Sequence, residues 1–182
     1  MSEKLNKRDW IDAAFKILIE GGVEAVRVER LAAALGVTKG SFYWHCKDRG
    51  ALLDALLEVW QSDATHAIIE NVEAKGGDAR AKLAALFAIV AQVDGRLDRA
   101  IRGWAARDSM AADALEKIDR RRQDYLEALF LEMGFSPEAS RARARLVYRA
   151  LVGKFMMGAT STSDDELADC LNILLPMLVR GD

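Results

Sequence analysis

Between Leu31 and His45 the chain reads Leu-Ala-Ala-Ala-Leu-Gly-Val-Thr-Lys-Gly-Ser-Phe-Tyr-Trp-His. Thr38, Lys39, Ser41, Tyr43, Trp44 and His45 place hydroxyls, a cation and aromatic rings within eight residues. Such groups suit non-covalent recognition of phosphate oxygens and base edges. The spacing also suits a helix-turn-helix. Ala32 is small where two helices would cross, and Gly36 stands four positions later, where the turn needs a positive φ. Leu31, Leu35, Val37 and Phe42 supply apolar anchors on both sides. In such a unit the second helix enters the major groove with its N-terminal half against base edges and backbone. A helical hairpin with no DNA role has the same pattern, so spacing alone leaves both readings open.

Nothing elsewhere competes as a reaction centre. No Ser/His/Asp, Cys/His or glycine-rich phosphate arrangement is present, so no catalytic residue and no cofactor is expected. Cys46 and Cys170 share no Cys-x-x-Cys spacing and read as buried thiols. With two histidines in the chain, His66 has no partners for a metal site and reads as structural or exposed. Asp164, Asp165 and Glu166 read as favourable charge at a helix N-terminus.

The elements that must position the Thr38–His45 set are all helices. Of the 182 residues 51% are apolar, only Pro137 and Pro176 interrupt the chain, and alanine, leucine, arginine and glutamate favour helix. Trp10, Ala14, Ile17 and Leu18 form one stripe of a helix over 7–20, which Gly21 and Gly22 stop. A second helix spans 26–35 and a third, very short one 38–45. A long amphipathic run over 48–75 follows, reading as a strut that joins two bodies. Later helices are read at 79–93, 96–104, 108–134, 137–159 and 164–180. Ser136 before Pro137 marks one start, and Ser163 with Glu166 makes a capping box for the last. Residues 1–50 hold nine Lys/Arg against seven Asp/Glu, whereas 51–182 hold 17 against 21. A net charge of −2 excludes a wholesale nucleic-acid coat and leaves contact through a few placed cations. Residues 1–9 carry no leader-like apolar stretch and no run approaches the ~20 residues that span a bilayer, so a cytoplasmic protein without membrane contact is expected.

Val23 to Trp60 resembles the DNA-binding head of the tetracycline repressor (TetR) family. The likeness is strongest over Gly-Val-Thr-Lys-Gly-Ser-Phe-Tyr-Trp-His (36–45), continuing through Lys47 to Ala-Leu-Leu-Asp-Ala-Leu (51–56). It implies an all-α fold: a three-helix head over 1–50 and a helical ligand-binding and dimerisation domain over 51–182. It also implies roles. Thr38 would cap the recognition helix and meet phosphate, Lys39 and Ser41 would face the groove, and Tyr43 and His45 would reach phosphates. Lys47 would lie beside the DNA, with Trp44 on the same outer face, and Arg49 stands where the family usually has a lysine that holds a phosphate. Three residues depart from the pattern. Cys46 replaces a larger apolar residue, Gly50 a better helix former, and Glu29 stands where a cation or threonine would help grip DNA.

Beyond the head, the resemblance implies an effector cavity and a homodimer formed by the last two helices. Trp60, Phe87, Trp104, Met110, Tyr125, Phe155 and Met156 are bulky and spread over separate helices, as a lining or an ordinary core would be. Polar handles are few (His66, Tyr125, Tyr148, Asn172), which favours a largely apolar or aromatic effector. Ala150, Gly153 and Met157, with Leu146, Leu167, Leu171, Leu174 and Leu178, offer dimer-forming surface. Arg141, Arg145 and Arg149, and the run Arg120–Arg122, read as solvated faces. The expected protein is a repressor that binds a palindromic duplex operator as a homodimer and leaves it when a small molecule binds. A helical interaction module and a small helical enzyme are its alternatives.

Overall fold

The structure, a computed structural model, describes residues 5–157. These contain no strand, and they divide into two compact units. One unit comprises the residues up to Ser62 together with Arg96–Leu115; the other comprises Asp63–Gly95 together with Glu116 onward. Neither matches the single boundary at residue 50 expected from the sequence.

The first unit opens with α1, Lys7–Gly21. Asn6 caps it by accepting from the Arg8 and Asp9 amides, while the Asp9 carboxylate accepts from the Asn6 N–H at 2.6 Å, a reciprocal box. Gly22, at φ +73°, closes its C-terminus. The expected stripe of Trp10, Ala14, Ile17 and Leu18 is buried, joined by Ile11 and Ala13. It packs on α2 (Val28–Ala34), α4 (Arg49–Gln61) and α7 (Arg96–Ala105). Between α2 and α4 lies α3, Lys39–Phe42. Buried Leu52, Leu56, Trp60, Ile101 and Trp104 complete this core.

The sequence predicts a long amphipathic helical run over 48–75. The backbone does stay helical, but Ser62–His66 forms a π turn before α5, Ala67–Lys75. Within the second unit Arg122 donates from Nε to Thr65 Oγ1 at 3.0 Å and from Nη2 to the Ala64 carbonyl at 3.3 Å. The π turn breaks the regular ladder locally, and this arginine gives the buried Thr65 hydroxyl a partner. Arg122 is thus partly buried and bonded, where an exposed arginine was expected from its run.

The second unit builds its core from α5, α6 (Ala79–Ala91), most of α8 (Ser109–Glu132) and α9 (Pro137–Met157). Leu83, Phe87, Leu126, Leu129, Phe130, Ala144, Val147 and Tyr148 form one buried cluster. Helix α8 ends in a two-bond turn: Phe135 N–H donates to the Phe130 carbonyl, and Gly134 N–H to that of Leu131. Gly134 holds φ +92°, and the Phe130 and Phe135 rings close the turn edge-on at 6.1 Å. Ser136 then caps α9, accepting from Ala139 N–H at 3.2 Å, with Pro137 at the first helical position as expected. Lys154 donates to the Ala91 carbonyl at the end of α6 at 2.6 Å. The expected helix at 164–180, its capping box and Cys170 lie outside the described residues.

Gly134→Ala forces a Cβ onto a left-handed backbone and should cost about 1–2 kcal/mol. Gly103→Ala, in the α7 interior with nothing within 4 Å of the new Cβ, should gain up to about 1 kcal/mol. Paired thermal denaturation curves read both, and the two midpoints should move in opposite directions.

Candidate nucleic-acid interface

Helix α2 closes on Gly36, whose φ of +67° lets Gly36 N–H donate to the Ala33 carbonyl and Val37 N–H to that of Ala32. The chain then reverses into α3. Thr38 takes the extended N-cap backbone (φ −82°, ψ 156°), but its side chain makes no capping bond, contrary to the role expected for it. The helix is a single turn, continued by a turn in which His45 and Cys46 N–H both donate to the Phe42 carbonyl at 2.9 Å.

Orientation comes from Phe42. Its fully buried ring meets Trp10 edge-on, centroids 5.3 Å apart. With Phe42 turned inward, Tyr43 and Trp44 emerge at 62% and 88% exposure. Thr38, Lys39 and Lys47 are also exposed, Ser41 is partly so, and the half-buried His45 ring lies 6.3 Å from Trp10. Seven of the eight expected contact residues thus share one short stretch with hydroxyl, cation and aromatic groups directed at solvent or at its edge. Cys46 is buried, and burial pushes its thiol pKa up, so it packs rather than reacts.

Arg49 is the exception. Partly buried, it donates from Nε to the Val26 carbonyl and from Nη2 to the Val23 carbonyl, both at 2.6 Å. The guanidinium fastens the start of α4 to the loop before α2, so its charge serves the head's own geometry. A second feature hidden in the sequence is an ion pair between Glu29 Oε1 and Lys39 Nζ at 2.7 Å. The lysine's hydrogen bond and charge lower the Glu29 pKa, which favours its carboxylate form.

The residues expected to line an effector site are divided. Trp60 and Trp104 are buried in the first unit, where Met110 is half-buried. Phe87 and Tyr125 pack in the core of the second, Phe155 is buried against Gly95, and Met156 is exposed. Tyr125 and Tyr148 donate their hydroxyls to Glu73 (2.6 Å) and Asp119 (2.5 Å). A groove of about 380 Å³ on the second unit is lined by Glu116, Asp119, Arg120, Gln123, Asp124, Glu127, Arg141, Ala144 and Arg145, and by none of the apolar candidates. His66 is exposed. Among the described residues no cluster of His, Cys, Asp and Glu could hold a metal, and no helix is long and apolar enough to cross a membrane.

Residues 28–45 therefore have helix-turn-helix geometry, with cationic and aromatic side chains exposed on the second helix and the turn after it. Residues 11–56 match the family described as bacterial regulatory proteins, tetR family. The chain is 43% identical over 53 residues to the class D tetracycline repressor of Escherichia coli, covering 29% of this chain and 24% of that one. It is 31% identical over 68 residues to the HTH-type transcriptional regulator AcrR of Shigella flexneri, covering 37% and 32%. These alignments therefore span between a quarter and a third of the curated relatives. Solved structures share the fold over nearly the whole length. A transcriptional regulator from Rhodococcus sp. Rha1 superposes at TM-score 0.79 with 22% identity, covering 96% of each chain. The regulator FadR from Bacillus subtilis, in complex with stearoyl-CoA, superposes at 0.67 with 19% identity, covering 96% and 98%. Over residues 11–56 the head is thus similar to that of the tetR family, and the curated relatives it matches there are a repressor and a transcriptional regulator.

Arg49→Ala removes two charge-assisted bonds from a partly buried site and should cost about 1–2 kcal/mol. Tyr43→Ala, at an exposed position, should leave stability within about 0.5 kcal/mol. Urea denaturation of the two variants separates the structural residue from the surface one.

Proposed function

We propose that the protein is a DNA-binding transcriptional repressor that works as a homodimer on a near-palindromic operator. The observation that carries this reading is Trp44 at 88% exposure beside Tyr43 at 62%, flanked by Lys39 and Lys47. Large aromatic rings left in water beside cations are a recognition surface in want of a partner. The tetR-family match over the same residues supports duplex DNA as that partner. Lys47, Thr38, Ser41, Tyr43 and His45 would hold phosphates and set the register, while the N-terminal end of α3 reads bases.

Helix α9 supports the dimer. Leu146, Ala150, Gly153 and Met157 recur on one face, and Leu146 (53%), Ala150 and Met157 (78%) are exposed. That apolar edge fits a two-fold helical interface. A small, largely apolar or aromatic effector would bind the helical body and lower DNA affinity. The stearoyl-CoA complex of the FadR neighbour supports an effector with a long apolar part. A coupling of about 1–3 kcal/mol between the two ligands would suffice for release.

The test is a mobility-shift titration of the duplex upstream of the protein's own gene, at two salt concentrations. Wild type should bind in the nanomolar range and weaken steeply with salt. Tyr43→Ala and Lys47→Ala should each lose about tenfold or more with unchanged helical content. Binding that ignores both substitutions and salt removes the DNA reading. In sedimentation velocity, Leu146→Arg combined with Met157→Glu should yield monomers, and a persisting dimer removes the α9 interface.

A further inference from the structure

The pairing of Glu29 with Lys39 calls for an explanation that stability does not provide. Both side chains are about 60% exposed (61% and 59%), and an exposed ion pair contributes little to folding. If this face met only phosphates, Glu29 would oppose the contact and spend a lysine that could have served it. The pair sits at the second residue of α2 and the first of α3. It thus stands at the N-terminal end of the recognition helix, the end that reaches base edges. There an acceptor has a use, because base edges carry amino donors that no cation can satisfy.

Resting on the DNA-binding reading above, we propose that the Glu29–Lys39 ion pair reads a single G·C base pair in each operator half-site. Lys39 Nζ donates to guanine O6 and N7, and the Glu29 carboxylate accepts from the cytosine N4 amino group. The spacing fits. Guanine O6 and cytosine N4 are themselves hydrogen-bonded partners about 2.9 Å apart, each with a further valence toward the major groove. The Glu29 oxygen and Lys39 nitrogen lie 2.7 Å apart, so an acceptor and a donor face a donor and an acceptor. An A·T pair offers the lysine no guanine-like O6/N7 edge and interposes the thymine methyl.

Gly40 is independent support. A Cβ there would meet nothing of its own chain nearer than Thr38 Oγ1 at 3.7 Å, so the fold itself does not require glycine beside Lys39. What the missing Cβ provides is close approach of the α3 backbone to an external surface. The carboxylate also weakens attachment to arbitrary sequence, so the pair gives up non-specific affinity for discrimination.

Full-length wild type, Glu29→Gln and Lys39→Met would each be used. An operator is selected from random-sequence duplex DNA with wild type, and every base pair of its half-site is then replaced in turn and titrated by fluorescence anisotropy. Circular dichroism confirms that these exposed substitutions leave the fold intact. The expected result is one G·C position where any other pair weakens wild type about tenfold or more. At that position alone, both variants should level the four base pairs to within about threefold. Glu29→Gln should also bind non-specific duplex more tightly than wild type. Variants that keep the full wild-type preference, or a levelled position that is A·T, overturn the assignment while leaving the DNA-binding reading intact. A wild type that enriches no sequence overturns both.

Discussion

The edge of the Phe42 ring against Trp10 is the contact on which the exposed aromatic face of the head depends. Trp10 is anchored in α1 and fully buried, so it cannot yield, and Phe42 reaches it only if α3 turns one face inward. With that face committed, the neighbouring side chains must leave the protein. Tyr43 and Trp44 are exposed because Phe42 is not. Around this contact the head is over-determined: the Gly36 turn reverses the chain at a fixed point, and Arg49 ties α4 to the carbonyls of Val23 and Val26. A single helical turn has too few internal hydrogen bonds to persist alone. It exists here because its surroundings hold it from three sides.

The charges around this turn carry different physical meanings. Arg49 is spent inward on carbonyls, Lys39 is shared with Glu29, and Lys47 faces solvent. The mildly basic balance of the first fifty residues therefore overstates the charge available to an external anion. Affinity for a polyanion must rest on few contacts, well oriented, in keeping with a protein of net charge −2.

Much of this was legible in the residues because it rests on local rules. The α1 stripe, the Gly36 turn and the Ser136–Pro137 start are written in periodicity and caps, and each appears where those rules place it. Features that depend on a distant partner were not legible. The π turn at Ser62–His66 leaves no mark, since an amphipathic pattern continues across it. Arg122 belongs to a run of three arginines, and only the fold distinguishes the one that meets Thr65. The family resemblance implies a phosphate ligand at Arg49, whose carbonyl partners lie more than twenty residues upstream, where no local pattern points to them. Glu29 departs from the family pattern in sequence, and only the fold supplies its neighbour Lys39 across the turn. The apolar candidates for an effector site carry no spacing that separates lining from core, and they are divided between the two compact units.

The chain supplies its own probe for the claim that this turn meets DNA. Of its four tryptophans, Trp10, Trp60 and Trp104 are at most 4% exposed, whereas Trp44 is at 88%. Acrylamide quenching of the intrinsic fluorescence should therefore show one readily quenched component. Saturating duplex from upstream of the gene should abolish that component and leave the shielded three unchanged. A Trp44 component that stays fully quenchable while the duplex is bound would contradict the account.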